Sequence, residues 1–166
     1  MSLIVEDGTG LSNSESYCSE TFADTYHENR GNSDWFLVTD KEAALRKATE
    51  YMLQIYRYKW TGYRAVTTQA LDWPRSMVFL NDYVEEISIS STIVPTEVKN
   101  ACAELALKTY TDSLLLQDTT DNVVKEIIGP ITVQYSDSSA DKYKAYSAVN
   151  SMLRPYFRST ALRVYR

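Results

Sequence analysis

Apolar positions in this chain recur mostly at spacings of three and four, the pattern of amphipathic helices, and alternate with period two only locally. The clearest run is Leu45, Ala48, Met52, Ile55 and Tyr56, one face of a helix extending to about Tyr58. Thr39-Asp40-Lys41-Glu42 precedes it as a capping-box match, with Thr39 at the N-cap and Glu42 at N3. An earlier helix begins near Ser19, with Glu20 in the first turn where the helix dipole favours negative charge. It carries Cys18, Phe22 and Tyr26 on one side and ends at Gly31, a residue suited to the left-handed C′ position. A third helix places Pro95 at N1 and Glu97 in its first turn, with an inner stripe of Val98, Ala101, Cys102, Leu105 and Thr109. A fourth starts at Ser138, with Asp141 three residues later, bears Tyr146, Val149 and Leu153, and stops before Pro155.

Period-two signals are fewer. Two β-rich runs separated by Gly129-Pro130 predict a hairpin over about 123–135, with Ile131, Val133 and Tyr135 on one side. Residues 77–93 alternate weakly and predict at most a short extended piece. Between these signals lies an irregular block in which Trp60, Gly62, Trp73, Pro74 and Arg75 form a shaped structural connector between helices. Residues 1–16 are rich in Gly and Ser and read as an arm. The expected fold is mainly α: a small bundle of about four helices, with one β-hairpin and extended N- and C-terminal arms. The chain divides into the arm 1–16, a helical domain 17–155, and a C-terminal docking tail 156–166.

With 166 residues, one domain is the simplest organisation. Forty-four per cent apolar and 23% charged residues are ordinary for a globular protein, but 13 tyrosines are not, and Tyr suits half-buried faces and interfaces. Two isolated cysteines, Cys18 and Cys102, argue against a disulfide framework and for a reducing compartment. No leader pattern and no apolar run of spanning length is seen, so neither export nor a membrane is expected. The net charge of −5 hides an asymmetry. Lys142, Lys144, Arg154, Arg158, Arg163 and Arg166 carry all the charge from 142 onward, leaving an acidic body and a basic, aromatic tail.

Catalytic chemistry finds little footing. His27 is the single histidine, so no Ser-His-Asp or Cys-His set can be built without it, and its bland role is structural. Asp118, Asp121 and Glu126 match no calcium loop and read as a solvated turn. Asp7-Gly8-Thr9-Gly10 lacks the Gly-Lys-Ser/Thr ending of a phosphate loop, and Glu97-Val98-Lys99 opens a helix rather than lying on a nuclease strand. No enzyme, no cofactor and no metal site is expected. Tyr56, Arg57, Tyr58, Lys59, Trp60, Tyr63 and Arg64 interleave aromatic and basic residues, as strand-stacking surfaces do. Against that stand a pI near 4.9 and the place of Tyr56 on the helical stripe, which favour core or subunit contact.

Several blocks carry a family resemblance. They are Val5-Glu6-Asp7-Gly8-Thr9-Gly10, Ala23-Asp24-Thr25-Tyr26-His27, Trp60-Thr61-Gly62-Tyr63-Arg64, Leu71-Asp72-Trp73-Pro74-Arg75, Val94-Pro95-Thr96-Glu97-Val98-Lys99 and Ile128-Gly129-Pro130-Ile131-Thr132-Val133. In order and spacing the chain resembles the head-tail adaptor (connector, neck) proteins of tailed phages, whose members are often labelled DnaT-like single-stranded-DNA-binding proteins. The resemblance implies a virion neck protein made in the bacterial host cytoplasm. It would form a homo-oligomeric, dodecameric ring between the portal protein and the next neck or tail-terminator protein. Double-stranded DNA would pass through the ring without sequence-specific contact.

On that reading the tail residues Arg154, Tyr156, Phe157, Arg158, Arg163, Tyr165 and Arg166 dock on an acidic groove of the portal. Deleting 156–166 would then abolish attachment and spare the fold. The alternative is a single-stranded-DNA-binding replication accessory protein, which predicts salt-sensitive oligonucleotide binding lost on Tyr58→Ala or Trp60→Ala.

Overall fold

The computed structural model describes residues 2–82, 84–111, 125–128, 131–134 and 146–158. Helix α1 spans Glu20–Glu28, α2 Lys41–Tyr56, α3 Thr96–Thr111 and α4 Ser147–Leu153. Three two-stranded antiparallel sheets accompany them: β1 (Tyr63–Arg64) with β2 (Arg75–Ser76), β3 (Val78–Asp82) with β4 (Glu85–Ile89), and β5 (Lys125–Ile128) with β6 (Ile131–Gln134). The expectation of a mainly α bundle is therefore corrected to a mixed α/β fold. The reason lies in residues 57–95. A bundle would use that stretch as a linker, but here it folds into two small sheets fixed to the core by buried Trp60, Trp73 and Arg75.

Local chemistry explains the helix boundaries. The Ser19 side chain accepts from Phe22 N–H at the start of α1, as its cap position requires. Gly31 has a left-handed φ of +67°, but α1 ends at Glu28 with Asn29 as C-cap, so the glycine sits in the following turn. At α2 the cap is Asp40 rather than Thr39, because the Asp40 carboxylate accepts from Ala43 N–H at 2.9 Å. Pro95 stands just outside α3, and its carbonyl accepts from the Val98 and Lys99 N–H groups. Helix α4 begins at Ser147 with Tyr146 as its N-cap; Ser138 and Asp141 lie outside the described residues.

Helix α3 occupies the centre. Val98, Ala101, Cys102, Ala103, Leu105 and Ala106 are all fully buried, and a helix apolar on most sides must be covered on most sides. Its alanines let α1, α2 and α4 approach. Leu45, Ala48 and Met52 of α2 complete the core, and burying side chains the size of Leu45 and Met52 contributes roughly 2 kcal/mol each. One polar anchor joins three elements: Asp24 of α1 accepts from the Trp35 indole N–H and from Lys41 Nζ, both at 2.7 Å.

The N-terminal segment is not an extended arm. Val5 forms a bridge to Ser16, and Glu6 N–H donates to the Ser16 carbonyl. The Glu6 side chain is buried and accepts from Gly8, Gly10 and Leu11 N–H and from the Ser14 hydroxyl, at 2.8–3.0 Å. Gly8 has φ +105°, and a Cβ there would lie 2.1 Å from the Thr92 carbonyl oxygen. The segment thus folds around its own carboxylate and packs against the body.

Candidate nucleic-acid interface

The site is built from the connector block and the end of the described C-terminal segment. Trp60 and Trp73 pack edge to face, ring centroids 5.7 Å apart, with Tyr56, Tyr156 and Phe157 against them. Both tryptophans are fully buried, and neither indole N–H has a partner among the described residues, so their contribution is apolar packing. Around them runs a polar frame. Arg75 is buried and donates to three carbonyls, those of Thr61 at 2.7 Å, Gly62 at 2.8 Å and Asp72 at 3.1 Å. Burial lowers the Arg75 pKa, and nearby Asp72 opposes that shift. Gln69, also buried, donates to the Leu71 and Pro74 carbonyls and accepts from Val66 N–H. Gly62 has φ +63°, and a Cβ would meet the Ser76 carbonyl at 2.2 Å. Trp60, Gly62, Trp73, Pro74 and Arg75 therefore meet in one unit, with a cis peptide bond between Trp73 and Pro74.

The chain returns to this unit at its other end. Thr61 N–H donates to the Tyr156 carbonyl, Arg158 N–H donates to the Lys59 carbonyl at 2.7 Å, and Trp60 bridges Phe157 in antiparallel sense. Tyr156 is buried, and its hydroxyl donates to Glu97 at 2.7 Å. Its pKa is raised, first by burial and then by that hydrogen bond to Glu97. Phe157 stacks on Tyr56 with ring centroids 5.4 Å apart. Of the two aromatic tail residues described, Tyr156 is buried in the protein's own core, while Phe157 is half-buried, packed against that core. Arg163, Tyr165 and Arg166 lie outside the described residues.

What this arrangement leaves facing outward is cationic. A groove of about 300 Å³ is lined by Lys59, Asn150, Ser151, Arg154 and Phe157. Arg158 is tied to the backbone beside it, its N–H donating to the Lys59 carbonyl and its Nε to the Trp60 carbonyl at 2.8 Å. No carboxylate lies within ion-pair distance of Lys59, Arg154 or Arg158 among the described residues. In contrast, Arg57 and Arg64 share one carboxylate oxygen of buried Asp72, at 3.2 and 3.3 Å, so their charge is offset in part. Tyr58, one residue before Lys59, is 86% exposed. The groove can offer phosphates the cations of Lys59 and Arg154, with the Phe157 ring in its lining.

Asn150 and Ser151 were not nominated from sequence. Arg154 follows Asn150 by four residues and Ser151 by three, a spacing that places all three on one helical face and is the signal the sequence offers.

One family model matches the chain over residues 1–166, that of the family described as "Putative DnaT-like ssDNA binding protein". The chain belongs to this family. No curated protein and no solved structure matches it. Within this DnaT-like chain the aromatic-basic run splits in two. Tyr56 and Trp60 are buried and unavailable for base stacking, while Tyr58 and Lys59 face solvent. Among the described residues there is no group of three or more His, Cys, Asp or Glu placed to hold a metal, and no helix long and apolar enough to cross a membrane.

Proposed function

We propose that this protein is a single-stranded-DNA-binding accessory protein that acts by binding, not catalysis. The groove at Lys59, Arg154 and Arg158 would take the strand's backbone. The observation that carries this reading is that Lys59 and Arg154 line one groove, with Arg158 bonded to the Lys59 backbone, and none of the three has an ion-pair partner among the described residues, on a chain of net charge −5. In an acidic protein such a cluster is a local electropositive site that recruits phosphate and releases its counterions. Membership of a DnaT-like family supports the same reading. Tyr58 is the exposed aromatic of the run and so the one free to stack on a base, whereas Trp60→Ala would damage the core and test only folding.

The test is fluorescence anisotropy with a labelled oligothymidine across a salt series. Three phosphate contacts predict a slope of log Kobs against log salt of roughly −2. Lys59→Glu with Arg154→Glu should weaken binding by about tenfold or more while thermal unfolding is unchanged. Absence of binding at low salt would remove this reading.

The β3–β4 hairpin favours a second reading. Phe79, Val84 and Ile87 are exposed on it, and among the described residues its strands pair only with each other. Exposed apolar side chains beside open strand edges suit burial by another chain. This supports the head-tail adaptor reading: a homo-oligomeric, dodecameric ring in the virion neck, between portal protein and the next neck or tail protein, around passing double-stranded DNA. Electron microscopy of the protein mixed with portal distinguishes the two, since a ring seated on portal supports the adaptor.

A further inference from the structure

The two cysteines stand 84 positions apart in sequence, yet the fold brings them together in the core. Cys18 lies just before the Ser19 cap of α1, and Cys102 is on the central helix α3. Both are fully buried free thiols. Ser16 touches the Cys18 backbone and the Cys102 sulfur alike. Its hydroxyl donates to the Cys18 carbonyl at 2.8 Å, accepts from Cys18 N–H at 3.3 Å and lies 3.8 Å from Cys102 Sγ. Thr49 of α2 approaches the same sulfur at 3.4 Å.

We propose that Cys18 and Cys102 are a dithiol pair that closes to an intramolecular disulfide under a hydroperoxide, locking the N-terminal segment to α3. The chemistry requires one thiolate and one resolving thiol in contact. The surroundings set the roles. Hydrogen bonds from the Cys18 thiol, then from Thr49, Ser16 and Tyr17 N–H, outweigh burial and push the Cys102 pKa down to about 7. The Cys18 pKa is raised well above its ordinary value, first by its hydrogen bond to Cys102 and then by burial. Cys102 is therefore the attacking sulfur. Its thiolate takes one peroxide oxygen, the O–O bond breaks, and the departing hydroxide leaves as water with the proton Cys102 gave up. Cys18 Sγ then attacks the resulting sulfenic acid. The S–O bond breaks, and the hydroxyl leaves as a second water with the Cys18 proton. The two sulfurs together lose two electrons, and the two peroxide oxygens gain them.

Burial makes access conditional. Peroxide reaches Cys102 when the segment before α1 lifts, so oxidation reports on that opening, and the finished bond prevents it. A cross-link closing a loop of this length should raise the midpoint of thermal unfolding by roughly 10 °C.

The test is to treat the full chain with hydrogen peroxide, quench, denature and alkylate. A mass lower by two hydrogens, two sulfurs closed to alkylation, a peptide joining residues 18 and 102, and a raised midpoint reversed by dithiothreitol are expected. Cys18→Ser should instead trap an oxygenated Cys102 with no rise in midpoint. Two freely alkylated thiols after oxidation would overturn the pair, as would a cross-link found only between chains. Because the readouts are mass and thermal unfolding, they stand apart from any result on DNA binding.

Discussion

Glu6 shows how a single residue can organise a segment that composition alone labels as loop. Its carboxylate accepts four hydrogen bonds from Gly8, Gly10, Leu11 and Ser14, so the backbone N–H groups that would bind an external anion in a glycine-rich loop are satisfied internally. Glu6→Ala removes the acceptor and leaves buried donors unpaired, which costs about 3 kcal/mol by chemical denaturation. Unchanged stability would show the segment to be unimportant to the fold.

His27 makes a second residue-scale case. It is fully buried, stacks near Trp35, lies 3.0 Å through Nε2 from the Ala103 carbonyl and 3.1 Å through Nδ1 from Asn32 Nδ2. The carbonyl can only accept and the amide nitrogen can only donate, so the ring is the neutral tautomer with its proton on Nε2. Burial lowers its pKa below the ordinary 6.5. The unfolded chain therefore binds a proton more readily than the native one. Stability is complete above about pH 6.5, falls as pH drops below it, and levels off once the folded-state pKa is passed. Urea denaturation between about pH 7.5 and pH 5 should show that step in the parent chain and lose it in His27→Gln. A step that survives the substitution would place its origin elsewhere.

Among the elements, the connector is the most informative, because its stability comes from buried polar groups rather than from a periodic pattern. Arg75 satisfies three carbonyls of the 61–72 region at once. Arg75→Ala should cost about 3 kcal/mol, and Arg75→Lys should recover only part of it, since one ammonium cannot reproduce a planar fork of donors. Equal stability of the lysine variant and the parent would refute the fork argument. The same contrast explains what was legible in the sequence. Helices α1 and α2 were readable because core contact and a capping side chain repeat the same message locally, and α3 because Pro95 precedes a run of buried small and apolar residues. The β5–β6 strands were readable because Gly129-Pro130 separates two β-rich runs.

The β3–β4 hairpin was less legible. On one face Val78 is buried and its cross-strand partner Ile89 half-buried, while Ile87, opposite Leu80 on that same face, is exposed; exposed Phe79 sits on the other face, so burial does not follow a clean alternation. The N-terminal loop hid for a different reason: Gly and Ser there serve a buried acid, and nothing in spacing distinguishes that use from a flexible arm. At the candidate site, Lys59, Arg154 and Arg158 could each be nominated as basic residues. Their convergence could not, because it depends on residues 59–61 pairing with 156–158 across almost a hundred positions.

At the scale of the whole molecule that pairing makes the C-terminal segment part of the body and sets the last prediction. Residues 156–158 contribute a buried tyrosine bonded to Glu97, an aromatic ring stacked on Tyr56 and Trp60, and backbone hydrogen bonds that close the connector. Removing Tyr156 and Phe157 exposes Trp60 and Trp73, and losing aromatic packing on this scale costs about 3–5 kcal/mol per large side chain. A chain shortened to end at Pro155 should therefore unfold at much lower denaturant or fail to accumulate. A chain ending at Arg158 keeps every one of those contacts and two of the tail's four arginines, Arg154 and Arg158. Comparing the two separates a structural role for the segment from a role for the charges beyond it. Loss of oligonucleotide binding in the Arg158-ending chain, with its unfolding midpoint unchanged, would assign binding to Arg163 and Arg166 rather than to the groove. Retained binding with the parent's salt slope would assign it to Lys59, Arg154 and Arg158. If the chain ending at Pro155 were as stable as the parent, the closure of the fold by its C-terminal strand would be wrong, and with it the positioning of the groove.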